Sequence, residues 1–319
     1  MKIRLIAEDS KMPNFAIMKI SAYWKKQGAD VGWYSPLFDI DSDIIYISKI
    51  FAWSEDPTTY IPMPPNAQII KGGTGYNKYA TLPPEIEEQD ELDYSLYPEC
   101  DYSIVFTTRG CIRRCGFCIV KEKEGLIHDI TPVKLNPKGK YIVVFDNNFF
   151  ASGTWRARLD HLKDFNQPIE FNTGIDLRIL TEEQCEALSK CKIKSIHCAW
   201  DNYEDKDKIL PKLDLLTKYI KPYKIVCYVL VGYKNKEIIK EDIERVNTIW
   251  SKGVYPFVMG YMNFDDPTYE KSQSVKDFAR WCNNRFVFKS CTWEDYKKHK
   301  TQKKSIANTF AELTQDLLT

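Results

Sequence analysis

The chain has 319 residues, 44% hydrophobic and 28% charged, with a formal net charge of +1. That balance is globular, and no run approaches the roughly 18 uninterrupted apolar residues a membrane span needs, which excludes a disordered chain and a helical membrane protein. The opening residues lack the pattern of a secretory signal, so the ten cysteines read as reduced thiols in the cytoplasm, not as a disulfide framework.

Residues 2–7 read as a buried strand. Residues 14–27 place Phe15, Ile17, Met18, Ile20, Ala22 and Trp24 at helical spacing until Gly28 stops the run. Further strands are expected at 30–34, 43–48 and 67–71, the last entering Gly72-Gly73-Thr74-Gly75. The pattern predicts a small Rossmann-like α/β domain over residues 1–98. Residues 1–100 are acidic, with 9 Lys/Arg against 15 Asp/Glu, and residues 82–99 are acidic and proline-bearing, as in a connector that does not pack.

From Asp101 onward, strand-like runs at 102–107, 141–145, 168–172, 194–199, 223–231 and 254–261 alternate with helix-length stretches such as 181–191, 204–220 and 235–252. Repeated βα units predict an α/β fold, a partial (β/α)6 TIM-like barrel over residues 99–265, with a C-terminal extension over 266–319. In such sheets the chemistry is expected just after each strand. Cys185, Cys191, Cys198 and Cys227 stand singly and are expected to be small buried hydrophobes.

After the first of these strands comes Thr107-Thr108-Arg109-Gly110-Cys111-Ile112-Arg113-Arg114-Cys115-Gly116-Phe117-Cys118, a C-x3-C-x2-C spacing. Thiolates are soft ligands for zinc or iron-sulfur clusters. Three on one short loop wrap three corners of a four-iron cube and leave the fourth iron open to a chelating group. Two other readings stay open: a zinc site completed by a remote cysteine or histidine, and an electron carrier or sensor with Cys100, Cys282 or Cys291 as fourth ligand.

The loop resembles that of the radical S-adenosylmethionine (SAM) superfamily in its spacing, in Phe117 before the last cysteine, and in its place after the first barrel strand. Thr108-Arg109-Gly110 is similar to the approach in members with cobalamin domains and in methylthiotransferases. The resemblance covers residues 101–262 well and the N-terminal part more loosely. It implies that Cys111, Cys115 and Cys118 hold a [4Fe-4S] cluster whose open iron is chelated by SAM. One electron, from a reductant such as flavodoxin or ferredoxin, then splits the sulfonium, and the 5'-deoxyadenosyl radical takes hydrogen from a substrate.

Position along the expected strands assigns the SAM contacts that the resemblance implies. Asp146, Asn147 and Asn148 stand where relatives bind the amino group, although the usual Gly-Gly-Glu is absent. Asn172 and Asp176 are assigned to ribose hydroxyls, Arg178 to the carboxylate, and Gly232 to an apolar wall for adenine. Trp200 and Asp201 stand at the mouth beside the fourth strand, Trp200 either as core or as a wall for the substrate. Asp and Asn also favour strand-end turns and caps, so a purely local role is the alternative.

The N-terminal part resembles a cobalamin-binding-like domain in degenerate form. The motif Asp-x-His-x-x-Gly fails, because Lys11 stands two positions after Asp9 and the first histidine of the chain is His128. Cobalamin held by a histidine is therefore excluded, and cobalamin is not expected. Near the end, Lys289, Lys297, Lys298, Lys300, Lys303 and Lys304 surround Trp293 and Tyr296, either as a nucleic-acid surface or as a solvated helix. The expectation is a radical SAM enzyme of unassigned substrate. The rivals are a cobalamin-dependent radical methyltransferase, a nucleic-acid modifier and a non-catalytic iron-sulfur carrier.

Overall fold

The computed structural model of the chain describes residues 1–300 other than Lys11, Pro132 and Pro267. Its first sheet is built from β1 (Lys2–Ala7), β2 (Asp30–Trp33), β3 (Ile44–Ser48) and β4 (Gln68–Gly72), all parallel, in the order β2-β1-β3-β4. Helix α1 (Phe15–Lys26) starts where the Asn14 side chain accepts from Ile17 N, and it buries Ile17 and Ile20 against Ile3 and Leu5. A side-chain cap of this kind stabilises a helix by about 1 kcal/mol.

The acidic stretch 82–99 packs, contrary to the connector reading. Helix α2 (Pro84–Glu87) places Ile86 in the first core together with Leu96. The acids complement the basic side of α1: Asp93 meets Lys25 at 2.7 Å and accepts from Ser21 Oγ at 2.6 Å, and Lys19 donates to the Glu87 carbonyl. Two apolar anchors and matched charge suffice to seat a segment whose composition looks solvated.

The second sheet holds β5 (Tyr102–Val105), β8 (Tyr141–Val144), β9 (Ile169–Ile175), β10 (Ile193–Ala199), β11 (Ile225–Val231) and β12 (Tyr255–Gly260). All six are parallel and lie in chain order, with β5 at one edge and β12 at the other. Between β5 and β8 the chain forms a two-residue antiparallel pair, β6 (Thr108–Arg109) with β7 (His128–Asp129), separated by the short helix α3 (Val120–Glu124). Helices α4 (Trp155–Asp164), α5 (Glu182–Ser189), α6 (Lys206–Tyr219) and α7 (Lys240–Ser251) follow β8, β9, β10 and β11.

Strand β11 shows the layering. Ile225, Cys227, Val229 and Val231 are buried in one core with Leu213, Leu216, Val246 and Ile249 of the helices, while Val226, Tyr228 and Leu230 alternate onto the other face. Each such aliphatic side chain contributes about 1.5–3 kcal/mol by leaving water. Cys185, Cys198 and Cys227 are buried as expected, whereas Cys191 is half-buried.

After β12, α8 (Gln273–Asn283) and α9 (Arg285–Ser290) extend the same core through Phe278, Trp281 and Phe288. Trp293 is buried there, Tyr296 stacks on it, Lys297 pairs with Glu294, and Lys300 with Asp277. Lys303 and Lys304 lie outside the described residues. No described helix is long and apolar enough to cross a membrane.

Candidate active site

The cysteine loop leaves β5 and is braced before it reaches Cys111. Asp146, just past β8 and 2% exposed, accepts from Thr107 N at 2.6 Å, Thr107 Oγ1 at 2.5 Å and Thr108 Oγ1 at 2.7 Å. Burial pushes its carboxyl pKa up against these three bonds. Both oxygens are thereby engaged within the protein, so Asp146 stands as a brace between the ends of β5 and β8.

Gly110 then turns the chain at φ +78°, where a Cβ would stand 2.3 Å from the Leu126 carbonyl oxygen. Only glycine fits a positive φ with backbone so near. Glu124, which the sequence reading did not single out, gathers this segment: Gly110 N donates to it at 3.1 Å, Asn147 Nδ2 at 2.5 Å, and Arg109 lies 3.4 Å away. Arg109 in turn covers the Phe106 ring at 4.2 Å from its centroid.

The three cysteines are free, Cys111 and Cys115 half-buried and Cys118 exposed. Cys111 Sγ accepts from Arg113 N at 3.3 Å and from Asn148 Nδ2 at 3.7 Å. Burial raises the thiol pKa of Cys115, and the nearby Arg178 guanidinium opposes that rise. Such N–H and guanidinium donors are suited to thiolates bound to iron, whose sulfurs carry negative charge.

No group of three His, Cys, Asp or Glu side chains among the described residues is placed to hold a single metal ion. A zinc ion draws its sulfurs to about 2.3 Å from one centre, while a four-iron cube holds three thiolates further apart. The donor set therefore fits the cluster better than one ion: three thiols stand on one loop, with hydrogen-bond donors at the Cys111 sulfur.

Around the loop the strand ends supply polar groups. Asp176 follows β9 and is 7% exposed in its side chain. Its Oδ1 accepts from Arg178 N at 3.1 Å and Nε at 2.7 Å, and its Oδ2 from Arg113 Nε at 2.8 Å. The two guanidiniums hold its carboxyl below the usual range against burial. Arg178 is also 3.5 Å from Asp205. Asn148 is 2% exposed, its Nδ2 shared between Cys111 and Asp176, and its Oδ1 has no partner.

Asp201, following β10, is half-buried, and this burial pushes its carboxyl up to about 6 despite Arg245 and Arg178 nearby. Phe117 meets Tyr233 edge-on at 5.5 Å, Tyr233 meets Tyr261 at 4.9 Å, and the Gly232 carbonyl accepts from Tyr269 Oη at 3.3 Å.

Of the residues assigned from sequence, Asn148, Asp176, Arg178 and the cysteines come together. Asn147 is turned to Glu124. Asn172 sits lower on β9, where its carbonyl accepts from Tyr228 Oη at 3.0 Å and lies 2.8 Å from His197 Nδ1. Gly232 follows β11 next to Tyr233, the residue that meets Phe117.

The loops that follow β3 and β4 reach α3 and the segment after β12. Lys123 donates to Thr74 Oγ1 at 2.9 Å, Lys78 bridges Glu122 at 3.0 Å and Asp265 at 2.7 Å, and Trp53 lies 6.2 Å from Phe264.

No protein-family model matches the sequence, and no curated protein matches it. Among solved structures, the chain is similar in fold to TsrM from Kitasatospora setae, a radical S-adenosylmethionine methyltransferase solved with cobalamin and a [4Fe-4S] cluster bound. The TM-score is 0.57 at 10% identity, over 81% of this chain and 74% of that one. At that identity the likeness is one of fold, a mixed α/β arrangement of parallel sheets.

Proposed function

We propose that the chain is a radical SAM enzyme, with Cys111, Cys115 and Cys118 holding a [4Fe-4S] cluster and the ends of β8 to β11 holding SAM. The observation that carries the reading is the position of the three free thiols, on one braced loop after the first strand of a six-stranded parallel sheet. The fold likeness to a radical SAM methyltransferase supports it. Cys111, Cys115 and Cys118 would hold the cluster, which would supply the one electron needed for reductive cleavage of SAM and hence for hydrogen-atom abstraction from a substrate.

The chain's own residues position and shield. Asn148 offers a buried, unpartnered Oδ1 to the amino group of SAM. Arg178, with Nε held by Asp176 and Nη1 3.5 Å from Asp205, is assigned to the SAM carboxylate as a planar donor. Asp176 acts by orienting Arg113 and Arg178, and Asp146 by holding the loop. Phe117 and Tyr233 wall the site beside Gly232. In this reading the second sheet is a partial barrel over residues 99–265, preceded by a unit over 1–98 and followed by an extension from 266. The electron comes from a flavodoxin or ferredoxin in the cytoplasm.

A second reading, a cobalamin-dependent methyltransferase, is favoured by one observation: TsrM carries cobalamin. Without a histidine before residue 128, cobalamin here would lack a histidine ligand from the first sheet. Visible spectroscopy of the purified chain with added cobalamin separates the two readings.

The deciding experiment is anaerobic reconstitution with iron and sulfide, then a strong reductant and SAM. About four irons per chain and formation of 5'-deoxyadenosine are expected, both lost when Cys111, Cys115 and Cys118 become Ala. A chain that assembles no cluster, or whose triple variant still cleaves SAM, sinks the proposal.

A further inference from the structure

The face of the second sheet opposite the helical core carries a group that the cysteine loop does not use. His197 Nδ1 lies 2.8 Å from the Asn172 carbonyl oxygen and 2.5 Å from Tyr228 Oη, and Tyr228 donates to the same carbonyl at 3.0 Å. A carbonyl oxygen only accepts, and the tyrosine proton is already given to it, so the proton of the neutral imidazole must sit on Nδ1. Burial holds the His197 pKa below the ordinary value, which keeps the ring neutral near pH 7. Its Nε2 then bears a lone pair that meets no hydrogen-bond donor among the described residues.

An apolar wall stands beside this acceptor. Tyr228 meets His197 edge-on at 5.2 Å and Phe257 at 5.8 Å, and Phe257 and Met259 are 37% and 48% exposed. The face is therefore open to a ligand. Asn172 lies on β9 four residues before Asp176, across an irregular stretch of its pairing with β10, so this group sits on the strand that leads to the anchor of the cysteine loop.

We propose that this face seats a neutral, ring-bearing small molecule that donates one N–H or O–H hydrogen bond to His197 Nε2 and lays its ring against Tyr228 and Phe257. That this molecule is the substrate rests on the radical SAM reading above. The seat itself rests only on the sheet face, which needs neither iron nor SAM.

Phenol and anisole test the seat, because they share a ring and differ in the donor. With the full-length chain labelled at the histidine ring nitrogens, phenol should shift the His197 Nε2 resonance and anisole should not. Phenol should bind about tenfold tighter than anisole, the worth of one hydrogen bond at a half-buried acceptor. His197→Phe should erase that preference, whereas Tyr228→Phe, which leaves Nδ1 bonded to Asn172, should keep it. Should His197→Phe fail to fold, the Nε2 shift in the unaltered chain decides alone. Equal binding of the two probes, binding of neither, an unmoved Nε2 resonance, or a preference that survives His197→Phe overturns the proposal. A chain that passes this test but assembles no cluster keeps the seat and loses only the radical SAM reading.

Discussion

Arg113 Nε donates to Asp176 Oδ2 at 2.8 Å, which pins the span between the first two cysteines to the end of β9. The other oxygen of the same carboxylate holds Arg178. One carboxylate thus fixes a residue of the cysteine loop and the guanidinium beside Cys115. Asp176→Ala leaves Arg113 without this partner and Arg178 with Asp205 at 3.5 Å. Because the Arg113 side chain is 34% exposed and solvent screens it, the expected loss is about 1–3 kcal/mol, below that of a fully buried pair. Urea unfolding of the iron-free chain reads the loss, and the iron content after reconstitution should fall with it. Unchanged stability and unchanged iron would remove Asp176 from this role.

Asp146 and Asn148 stand two residues apart and are expected to fail differently. Asp146→Ala strands Thr107 and Thr108, whose donors lose a buried acceptor, at a cost of about 2–4 kcal/mol. The loop then loses its brace, so cluster assembly should drop. Asn148→Ala removes a group whose oxygen has no partner among the described residues and whose amide makes only the long contacts to Cys111 and Asp176. Its folding should change little and its cluster should assemble, while SAM affinity falls about tenfold, the worth of one hydrogen bond. Equilibrium binding of SAM to the reconstituted variants distinguishes the two.

Gly110→Ala tests the turn itself. Its Cβ would lie 2.3 Å from the Leu126 carbonyl oxygen, in a conformation at φ +78° that L residues rarely adopt. Backbone cannot yield as a flexible side chain would, so a cost of about 2–3 kcal/mol is expected. Cluster content per chain should be lowered although all three cysteines remain. An alanine variant that binds iron as the parent does would show that the β6–β7 segment is not a constraint on the loop.

The strands were legible because their apolar runs are long: Tyr141–Val144 and Ile225–Val231 declare themselves without any partner in view. The cysteine spacing was legible for the same reason, being local. What escaped was long-range. Glu124 lies in a Lys-Glu-Lys-Glu run that reads as solvated surface, yet it gathers Gly110, Arg109 and Asn147. Asp146 looks like a free strand-end acceptor until β5 is laid beside β8 and Thr107 comes within reach. Likewise Ile86 and Leu96 are too few among acids to signal packing, and only the basic side of α1 explains why residues 82–99 dock. His197 was one histidine among four, and its tautomer depends on a carbonyl 25 residues away.

Asp129 gives the hairpin behind the cysteine loop its acid sensitivity. It accepts from Ser152 Oγ at 2.9 Å and Thr154 Oγ1 at 2.7 Å and lies 3.0 Å from Arg158, and the Arg158 bond leads in lowering its carboxyl to about 2. A carboxyl depressed in the folded chain contributes stability above its unfolded value near 3.9, and that contribution is lost as pH falls through about 2. With 37% of the side chain exposed, screening reduces the contribution to about 1 kcal/mol. Asp129→Asn should therefore cost about 1 kcal/mol in urea unfolding at pH 7 and progressively less between pH 4 and pH 2, where the parent carboxyl also takes up its proton. A cost that stays constant over that range would mean that the shape of the side chain, and not its charge, holds Arg158 and β7 in place.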